Sequence, residues 1–347
     1  MTFNEMYENR DRMSLRKRIL TFLLYVLGLT IILLIVVHVG ISEVLSVLLS
    51  TDPYIFLLAV VIYFLGCFVL TLRWRAILSI SNYRASLKHL FLLIMMGQFI
   101  NNITPSMRGG SEPFRAYYLS KLESIPKSIS FSSVIVERVL DTITFLLLSL
   151  LVILYLLIKG IPLVEELVLI WLLIGALMTA SIYAIMHRSL PYKVASKLIT
   201  VISSISSRSV PEKEVYKSIE DLQQNILFLH HNKKKMILPF ILTFLWWFLD
   251  ILKNYILFLS IGYQLPPIVL SLTYLVSLLV GLLPTLPGSL GVSDAVSITL
   301  YSYLGVPHSI STIGTLLDRA VSYIIPTILG FAAYCLIKRR LKDRVKG

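Results

Sequence analysis

Arginine and acidic residues stand beside proline and glycine in two polar segments of an otherwise apolar chain. The first segment is NNITPSMRGGSEPFRAYYLSK, residues 101–121, and the second is PTLPGSLGVSD, residues 284–294. An arginine presents a planar five-donor fork that matches phosphate and carboxylate groups, and a carboxylate can pair with that fork. The candidate anion-binding and ion-pairing residues in and after these segments are Arg108, Glu112, Arg115, Glu137, Arg138, Asp294, Asp318 and Arg319.

These two regions repeat one another. Pro105 and Pro287 lie 182 positions apart, as do Glu112 and Asp294. Three further pairs lie 181 positions apart, namely Pro126 and Pro307, Glu137 and Asp318, and Arg138 and Arg319. One single-residue gap therefore aligns both regions, which we interpret as an internal repeat. The residues expected to form the tight loops are Pro105, Gly109, Gly110, Pro287, Gly288 and Gly291.

The elements that must position these residues are membrane helices. A chain of 347 residues with 56% apolar residues and a mean hydropathy of +0.82 cannot hide its apolar surface in a soluble core. A helix needs about 20 apolar residues to cross a bilayer. The segments that satisfy this length are Ile19 to Val39, Tyr54 to Leu72, Val139 to Ile158, Val168 to His187, Ile237 to Ile261 and Ser309 to Ile337. We predict an all-α polytopic membrane protein with six full transmembrane helices.

Two further apolar segments, His89 to Ile103 and Pro267 to Leu283, are too short to cross. The first would form a helix of about 22 Å, whereas the hydrocarbon core is about 30 Å thick. Polar irregular backbone is tolerated at membrane depth only where it is packed in protein or lines a cavity. We predict two re-entrant helical hairpins, around residues 89–121 and 267–305, in halves that are inverted relative to each other.

Positive charge sets the orientation, because lysine and arginine avoid translocated loops. The net charge of +13 is concentrated in segments that this rule places on the cytoplasmic side of the cell membrane, including both termini, so nucleic acid is not an expected partner. An amphipathic helix with a capping box at Ser209 and Glu212 is predicted to lie on the inner face or on another helix. The predicted organisation is a basic N-terminus (1–18), a first membrane half (19–187), a cytoplasmic amphipathic segment (188–236), a second membrane half (237–337) and a basic tail (338–347).

Four blocks, NNITPSMRGGSEPFRAYYL, SSVIVERVLDTITF, LLPTLPGSLGVSDAV and LLDRAVSY, resemble the lysylphosphatidylglycerol synthase transmembrane-region family of flippase-like membrane proteins. The resemblance covers about Ile19 to Ile337. It implies a polytopic domain that, in bifunctional bacterial members, moves an aminoacylated phospholipid between leaflets. Those members carry a soluble aminoacyltransferase domain after the membrane part, and only ten residues follow Ile337, so lysyl transfer is not expected here. Asp294 stands where the family has Glu.

The acidic candidates also have a structural interpretation. Ser111 and Ser293 precede Glu112 and Asp294 and could act as helix N-caps, and the helix dipole favours an acid in the first turn. A charge at membrane depth costs about 2.5 to 3.5 kcal/mol, however. We therefore favour a functional role or an intramembrane ion pair over capping alone.

The arginines likewise have a structural and a functional interpretation. Arg108 and Arg115 fit contacts with inner-leaflet lipid as well as headgroup binding. Arg138 stands at the start of a predicted span, where it could snorkel to the interface. Arg319 lies about ten residues inside the last apolar stretch, so we expect its fork to bind a headgroup.

The sequence contains no common catalytic signature such as H-E-x-x-H, a P-loop, G-x-G-x-x-G or G-x-S-x-G. Cys67 and Cys335 lie in apolar spans, so we predict neither a disulfide nor a metal site, and no cofactor. Asp250 and Lys253, three positions apart on one helix, are interpreted as a pair that satisfies itself.

Two function classes follow. The favoured one is a lipid transporter or flippase that takes an anionic or zwitterionic headgroup into a midplane cavity at the repeat interface. The alternative is a membrane-embedded lipid-modifying enzyme, or an accessory subunit of one, that uses the acidic residues for acid and base chemistry. Membrane lipids are the expected partners, and a lipid-synthesising enzyme is a further candidate.

Overall fold

The computed structural model describes Thr30 and residues 41–104, 110–160, 164–205, 212–282 and 286–346. These residues form helices and connecting turns and contain no strand, as the all-α prediction requires. The α-helices are α1 Ile41–Leu49, α2 Pro53–Ile80, α3 Leu87–Ile103, α4 Glu112–Glu123, α5 Lys127–Lys159, α6 Val164–Met186, α7 Leu190–Ile205, α8 Glu212–His231, α9 Lys233–Ser260, α10 Pro267–Leu282, α11 Val292–Tyr303, α12 His308–Arg319 and α13 Ile325–Lys346. A 3-10 turn covers Pro287–Ser289, and a π-helical turn, Ala320–Ile324, joins α12 to α13.

Five stretches are long and apolar enough to cross a membrane. They are Pro53–Ile80, Lys127–Ile158, Glu165–Met186, Lys233–Ser260 and His308–Asp343. They overlap the five spans predicted from Tyr54 onward. The sixth predicted span, Ile19 to Val39, lies outside the described residues except for Thr30. The count of six, the re-entrant hairpins and the inversion stay predictions.

Polar groups fix the ends of these apolar helices. The Asp52 carboxylate accepts hydrogen bonds from the backbone N–H groups of Tyr54, at 2.8 Å, and Ile55, at 3.1 Å, while Pro53 occupies the first helical position. At the end of α5, Gly160 takes a left-handed conformation with φ of 63°, and its N–H donates to the carbonyls of Leu156 and Leu157. The first and last turns of long helices thus satisfy their backbone groups locally.

Helix α5 starts earlier than hydropathy predicts. The apolar run begins at Val139, but the helix begins at Lys127, with the polar turns KSISFSS in front of that run. Three of the four serines in these turns, Ser130, Ser132 and Ser133, are buried: Ser133 accepts a hydrogen bond from the Trp74 indole at 2.9 Å, and Ser132 accepts one from the Asn225 amide. Because these serine hydroxyls form hydrogen bonds with neighbouring helices, the first turns of α5 are stable without an apolar face. Glu137 and Arg138, which precede Val139, therefore lie inside the helix.

The described residues fold into two compact units, each with its own core. Unit one comprises residues 1–63, 96–111 and 250–332, as far as they are described, and unit two comprises 64–95, 112–249 and 333–347. In unit one, Phe258 of α9 packs edge-on against Tyr301 of α11, with a centroid distance of 5.0 Å, and it is 1% exposed. Its ring also fills the space beside Gly314, so no larger side chain fits at that position of α12.

In unit two, helix α8 packs against α5. Leu229 of α8 is buried in a cluster with Ile77, Ile80, Val136 and Leu140. The amphipathic helix that the spacing predicts after Ser209 is therefore present from Glu212 onward, and one of its faces lies on another helix. Ser209, in the predicted capping box, lies outside the described residues.

Candidate functional site

A fully buried carboxylate holds two arginines in unit two. Glu137 of α5 is 0% exposed, and its Oε2 lies 2.7 Å from Arg115 Nη2, while Oε1 lies 3.4 Å from Arg73 Nη2. Arg73 also donates to Asp141 Oδ1 at 2.5 Å. The Arg115 guanidinium is stacked over the Trp74 ring, 4.2 Å from its centroid. Arg115, which the sequence allowed as a headgroup ligand, is thus a 4% exposed member of an ion-pair network.

Arg138 is the accessible member of the same network. Its Nε lies 3.2 Å from Glu112 Oε1 and its Nη1 3.5 Å from Asp141 Oδ2, and its side chain is 38% exposed. Glu112 reaches it from the first turn of α4. Among the described residues, this network contains three guanidinium groups and three carboxylates, so their formal charges balance. Of these three arginines, Arg138 is the one whose exposure allows a further ligand.

Arg319 in unit one is arranged differently from Arg138. Its Nε donates to Asp294 Oδ1 at 2.5 Å, Nη2 to Ser293 Oγ at 2.5 Å and Nη1 to the Gly288 carbonyl at 3.2 Å. The Arg319 side chain is 12% exposed. Its fork is directed at the Pro287–Ser289 turn and the start of α11, so it fastens these elements together.

A second charged cluster of unit one surrounds Lys253. Its Nζ lies 3.0 Å from Asp250 Oδ1, 2.7 Å from Asp318 Oδ1 and 2.5 Å from Ser322 Oγ. The Tyr274 hydroxyl donates to Asp250 Oδ2. Lys253 is 2% exposed, whereas Asp318 is 32% exposed. The pair of Asp250 and Lys253 predicted from their spacing is present, and it is extended by the second carboxylate of Asp318.

The cap of α11 corrects one prediction. Ser293 is not the N-cap; Gly291 occupies that position with φ of 81°, and its N–H donates to Asp294 Oδ2 at 2.8 Å. The Ser293 hydroxyl donates instead to the Ser289 carbonyl at 3.0 Å. Asp294 therefore both caps the helix and forms an ion pair with Arg319, so capping and ion pairing are not alternatives at this residue.

Backbone and amide groups join the end of α3 to the turn before α11. The Gly288 N–H donates to the Thr104 carbonyl at 3.2 Å, and the Tyr323 hydroxyl donates to the Asn102 carbonyl at 3.1 Å. The Asn102 amide donates to Thr327 Oγ1 at 2.8 Å. A neighbouring Asn101 Oδ1 accepts from the N–H groups of Gly110 and Ser111. The Asn pair of the first polar segment thus connects the end of α3 to Gly110, Ser111 and Thr327 within unit one.

Replacing Gly288 with Ala should destabilise unit one. The residue has φ of 57°, and an added Cβ would collide with the Tyr323 ring and lie 3.2 Å from the Asn102 carbonyl oxygen. We expect a loss of about 1 to 3 kcal/mol, from overpacking. Gly262→Ala is the matched control, because φ there is 73° but no atom lies within 4 Å of the added Cβ. Chemical unfolding in detergent measures both, and equal losses would contradict the close contact at Gly288.

The sequence predicted most of these residues but not two of their partners, Arg73 and Asp141. Arg73 was not among the candidate residues, although it lies between Glu137 and Asp141. Its position 180 residues before Lys253, in the same repeat, could have identified Arg73 as a candidate. Pro105, Arg108 and Gly109 lie outside the described residues. The described residues contain no group of three or more His, Cys, Asp or Glu side chains that could hold a metal ion.

Comparisons with known proteins find relatives along most of the chain. Residues 22–330 match the family model described as "Lysylphosphatidylglycerol synthase TM region". The chain is 41% identical over 326 residues to the UPF0104 membrane protein MJ1595 of Methanocaldococcus jannaschii, covering 94% of this chain and 97% of that protein. It is 29% identical over 322 residues to a UPF0104 membrane protein of Methanothermobacter thermautotrophicus, covering 90% and 94%.

A third match is partial. The chain is 35% identical over 136 residues to the glycosyltransferase AglD of Haloferax volcanii, which covers 39% of this chain and 21% of AglD. A segment similar to part of this chain therefore occurs within a longer protein that is named as a glycosyltransferase.

Proposed function

The chain belongs to the lysylphosphatidylglycerol synthase TM region family, and from that premise we propose that it is a lipid transporter that carries a phosphate-bearing headgroup between leaflets. The observation that supports this most is the 38% exposed Arg138, held in place by Glu112 and Asp141 on a helix long enough to cross the membrane. A fixed guanidinium beside lipid is suited to a lipid phosphate, because it offers parallel donors in one plane.

Neighbouring charges prepare Arg138 for that role. Glu112 and Asp141 hold the side chain at 3.2 Å and 3.5 Å, longer than the 2.7 Å that joins Arg115 to Glu137. A headgroup phosphate could therefore compete for the Arg138 fork without breaking the buried pairs. In this proposal the phosphate is captured at Arg138 and then passes toward a midplane cavity at the repeat interface, while the acyl chains stay in lipid.

An inverted repeat forms part of the proposal. Helices α2 and α9 both have 28 residues and begin 180 positions apart, and α3 and α10 also begin 180 positions apart. Pro126 and Pro307 precede α5 and α12 with nearly equal conformations, φ of −51° and −52° with ψ of 139° in both. These correspondences support two related halves. The charge distribution along the sequence supports their opposite orientation and the two re-entrant hairpins.

Equivalent ion pairs also support the repeat. Arg138 pairs with Glu112, and 181 positions later Arg319 pairs with Asp294. Likewise Arg73 contacts Glu137, and the residue 180 positions later, Lys253, contacts Asp318.

Cysteine labelling tests the orientation. Arg84 and Gln264 are exposed, lie 180 positions apart and follow α2 and α9. In a background without Cys67 and Cys335, Arg84→Cys should react with an impermeant maleimide from the cytoplasmic side and Gln264→Cys from the outer side. Reaction of both cysteines from one side would contradict the inverted repeat.

Lipid movement in vesicles tests the function itself. The purified chain would be reconstituted into vesicles that contain fluorescent lipids with an anionic, a zwitterionic or an uncharged headgroup, and an impermeant reductant would report the rate of leaflet exchange. We expect exchange to be faster than in protein-free vesicles, and faster for phosphate headgroups than for uncharged ones. Rates equal to those of protein-free vesicles for the whole panel would refute transport.

A second candidate function is a membrane module that works with a lipid-modifying or glycosyl-transferring enzyme. The partial match to AglD favours it, because that protein combines a similar segment with additional chain. Mass spectrometry of the same vesicles separates the two candidates. A chemically altered lipid, with no faster exchange, would favour the enzyme-related function.

A further inference from the structure

Tyrosine and lysine side chains of α4 and α13 meet on a surface of unit two that the proposed transport does not use. The Tyr118 ring of α4 packs edge-on against the Tyr334 ring of α13, with a centroid distance of 6.3 Å and an interplanar angle of 86°. The Lys338 ammonium, one turn further along α13, lies over the Tyr334 ring, 4.6 Å from its centroid. Two half-buried phenols and one exposed ammonium are therefore neighbours.

The exposed side of α4 extends this surface. Phe114, Tyr117 and Lys121 are exposed, and their spacing of three and four positions places them on one side of the helix, whereas the opposite side is buried. The Tyr117 ring also packs against the Tyr118 ring, with a centroid distance of 5.3 Å. We call the exposed and half-buried residues of both helices the tyrosine-lysine surface: Phe114, Tyr117, Tyr118, Lys121, Tyr334 and Lys338.

The tyrosine-lysine surface is positively charged. Both acidic residues of α4 are engaged elsewhere, since Glu112 lies 3.2 Å from Arg138 and Glu123 lies 2.6 Å from the His89 ring. Among the residues that the structure describes, no carboxylate forms an ion pair with Lys338, whose electrostatic contacts are with aromatic and thiol groups. The charge of Lys338 is therefore available to an external anion.

The position of Lys338 indicates which kind of anion can reach it. Residues 320–337 contain no charged side chain, and Lys338 is the first cation after them. Asp343, the acidic residue that follows, is five positions further on and lies on a different face of α13. Tyrosine is enriched where hydrocarbon meets water, and basic residues just outside a span attract anionic lipid. The exposed Phe114 and Tyr117 rings add apolar area, which suits a lipid better than a small soluble anion.

We propose that the tyrosine-lysine surface binds the headgroup of an anionic phospholipid from the surrounding membrane. The Lys338 ammonium pairs with the lipid phosphate, the Tyr118 and Tyr334 hydroxyls donate hydrogen bonds to phosphate oxygens, and the Phe114 and Tyr117 rings contact the glycerol and the first acyl carbons. The cation–π contact with Tyr334 holds the lysine side chain in place, so less conformational freedom is lost on binding. This site is separate from Arg138 and does not rest on the proposed transport.

Native mass spectrometry of the full chain in detergent tests the binding. The probes are dioctanoyl phosphatidylglycerol, which is anionic, dioctanoyl phosphatidylcholine, which is zwitterionic, and glycerol phosphate, which lacks acyl chains. We expect the anionic lipid to bind about tenfold more tightly than the zwitterionic one. Glycerol phosphate at the same concentration should not displace it.

Variants of α13 and α4 locate the site. Lys338→Gln should weaken binding of phosphatidylglycerol about tenfold, because a hydrogen bond to a charged group is lost. Arg339→Gln is the matched control, since Arg339 is the adjacent exposed cation but lies on a different side of the helix. There we expect a change of about twofold at most, because an exposed charge away from the site is screened. The double variant Tyr118→Phe, Tyr334→Phe keeps both rings, removes both donors and should weaken binding severalfold.

Three outcomes would overturn the proposal. Equal weakening by Lys338→Gln and Arg339→Gln would mean general attraction to the basic end of α13. Displacement of the lipid by glycerol phosphate at equal concentration would mean an anion site that does not recognise lipid. A dimer in the same spectra that dissociates in Lys338→Gln would assign the surface to a second copy of the chain.

An Arg138→Lys background separates this site from the proposed transport. The comparison of Lys338→Gln with Arg339→Gln is repeated there, so that lipid at Arg138 does not contribute, and the same difference is expected. Loss of lipid binding on Arg138→Lys alone would overturn the surface site. Lipid binding that depends on Lys338, together with vesicles that show no exchange, would refute transport and support the surface site.

Discussion

Replacing Glu137 with Gln is expected to lower the free energy of unfolding by about 3 to 5 kcal/mol, the cost of breaking a buried ion pair. Glutamine has nearly the same size, so the change removes charge without leaving a cavity. Arg73 would keep Asp141 at 2.5 Å, but Arg115 would lose the carboxylate at 2.7 Å and keep only the Trp74 ring. The penalty is therefore mainly that of an uncompensated Arg115 guanidinium.

Denaturant titration of the protein in detergent measures this loss, with Glu220→Gln as the control. Glu220 is exposed on α8, and we expect no measurable change there. A double variant that adds Arg115→Met should recover part of the loss, because the unpaired charge is then absent. Equal stability of Glu137→Gln and Glu220→Gln would show that the buried pair contributes nothing.

Replacing Arg138 with Lys is expected to reduce lipid exchange about ten- to hundredfold. Lysine retains the charge and can still pair with Glu112 or Asp141, but it loses the planar fork, and hydrogen bonds to charged groups contribute about 1.5 to 3 kcal/mol. Because Arg138 is 38% exposed, we expect little change in stability. The vesicle assay measures the rate, and the denaturant titration verifies folding.

Arg75→Lys provides the matched control, since Arg75 is exposed on α2 and belongs to no described ion pair. Its lipid exchange should equal that of the parent protein. If Arg138→Lys also exchanges lipid at the parental rate, the guanidinium is not a headgroup ligand and serves only its carboxylate partners.

Hydropathy was sufficient to predict the five described spans, because each depends on a long apolar run. It failed at the start of α5, where helical structure begins twelve residues before Val139. The serines of those turns are stabilised by Trp74 and Asn225, which lie far away in sequence. Local composition contains no information about such contacts.

The sequence predicted which charged residues belong to the candidate site, but not which of them form ion pairs with one another. The repeat identified Glu137, Arg138, Asp318 and Arg319, but their partners depend on which helices pack together. Arg138 and Arg319 occupy corresponding positions of the repeat, yet their exposed fractions are 38% and 12%. The difference arises because Arg319 also bonds to the turn before α11, and only the folded backbone places the Gly288 carbonyl within its reach.

The position of Arg138 along α5 has a consequence for the lipid itself. The apolar run that follows it, Val139 to Ile158, has a length of about 30 Å, equal to the hydrocarbon thickness of an average bilayer. In a bilayer of that thickness, the guanidinium at the start of this run would lie level with the headgroups. Longer acyl chains would move the phosphate plane away from the arginine or force α5 to adjust its tilt. Acyl-chain length, and not only headgroup chemistry, would thus help to select which membrane this protein can serve.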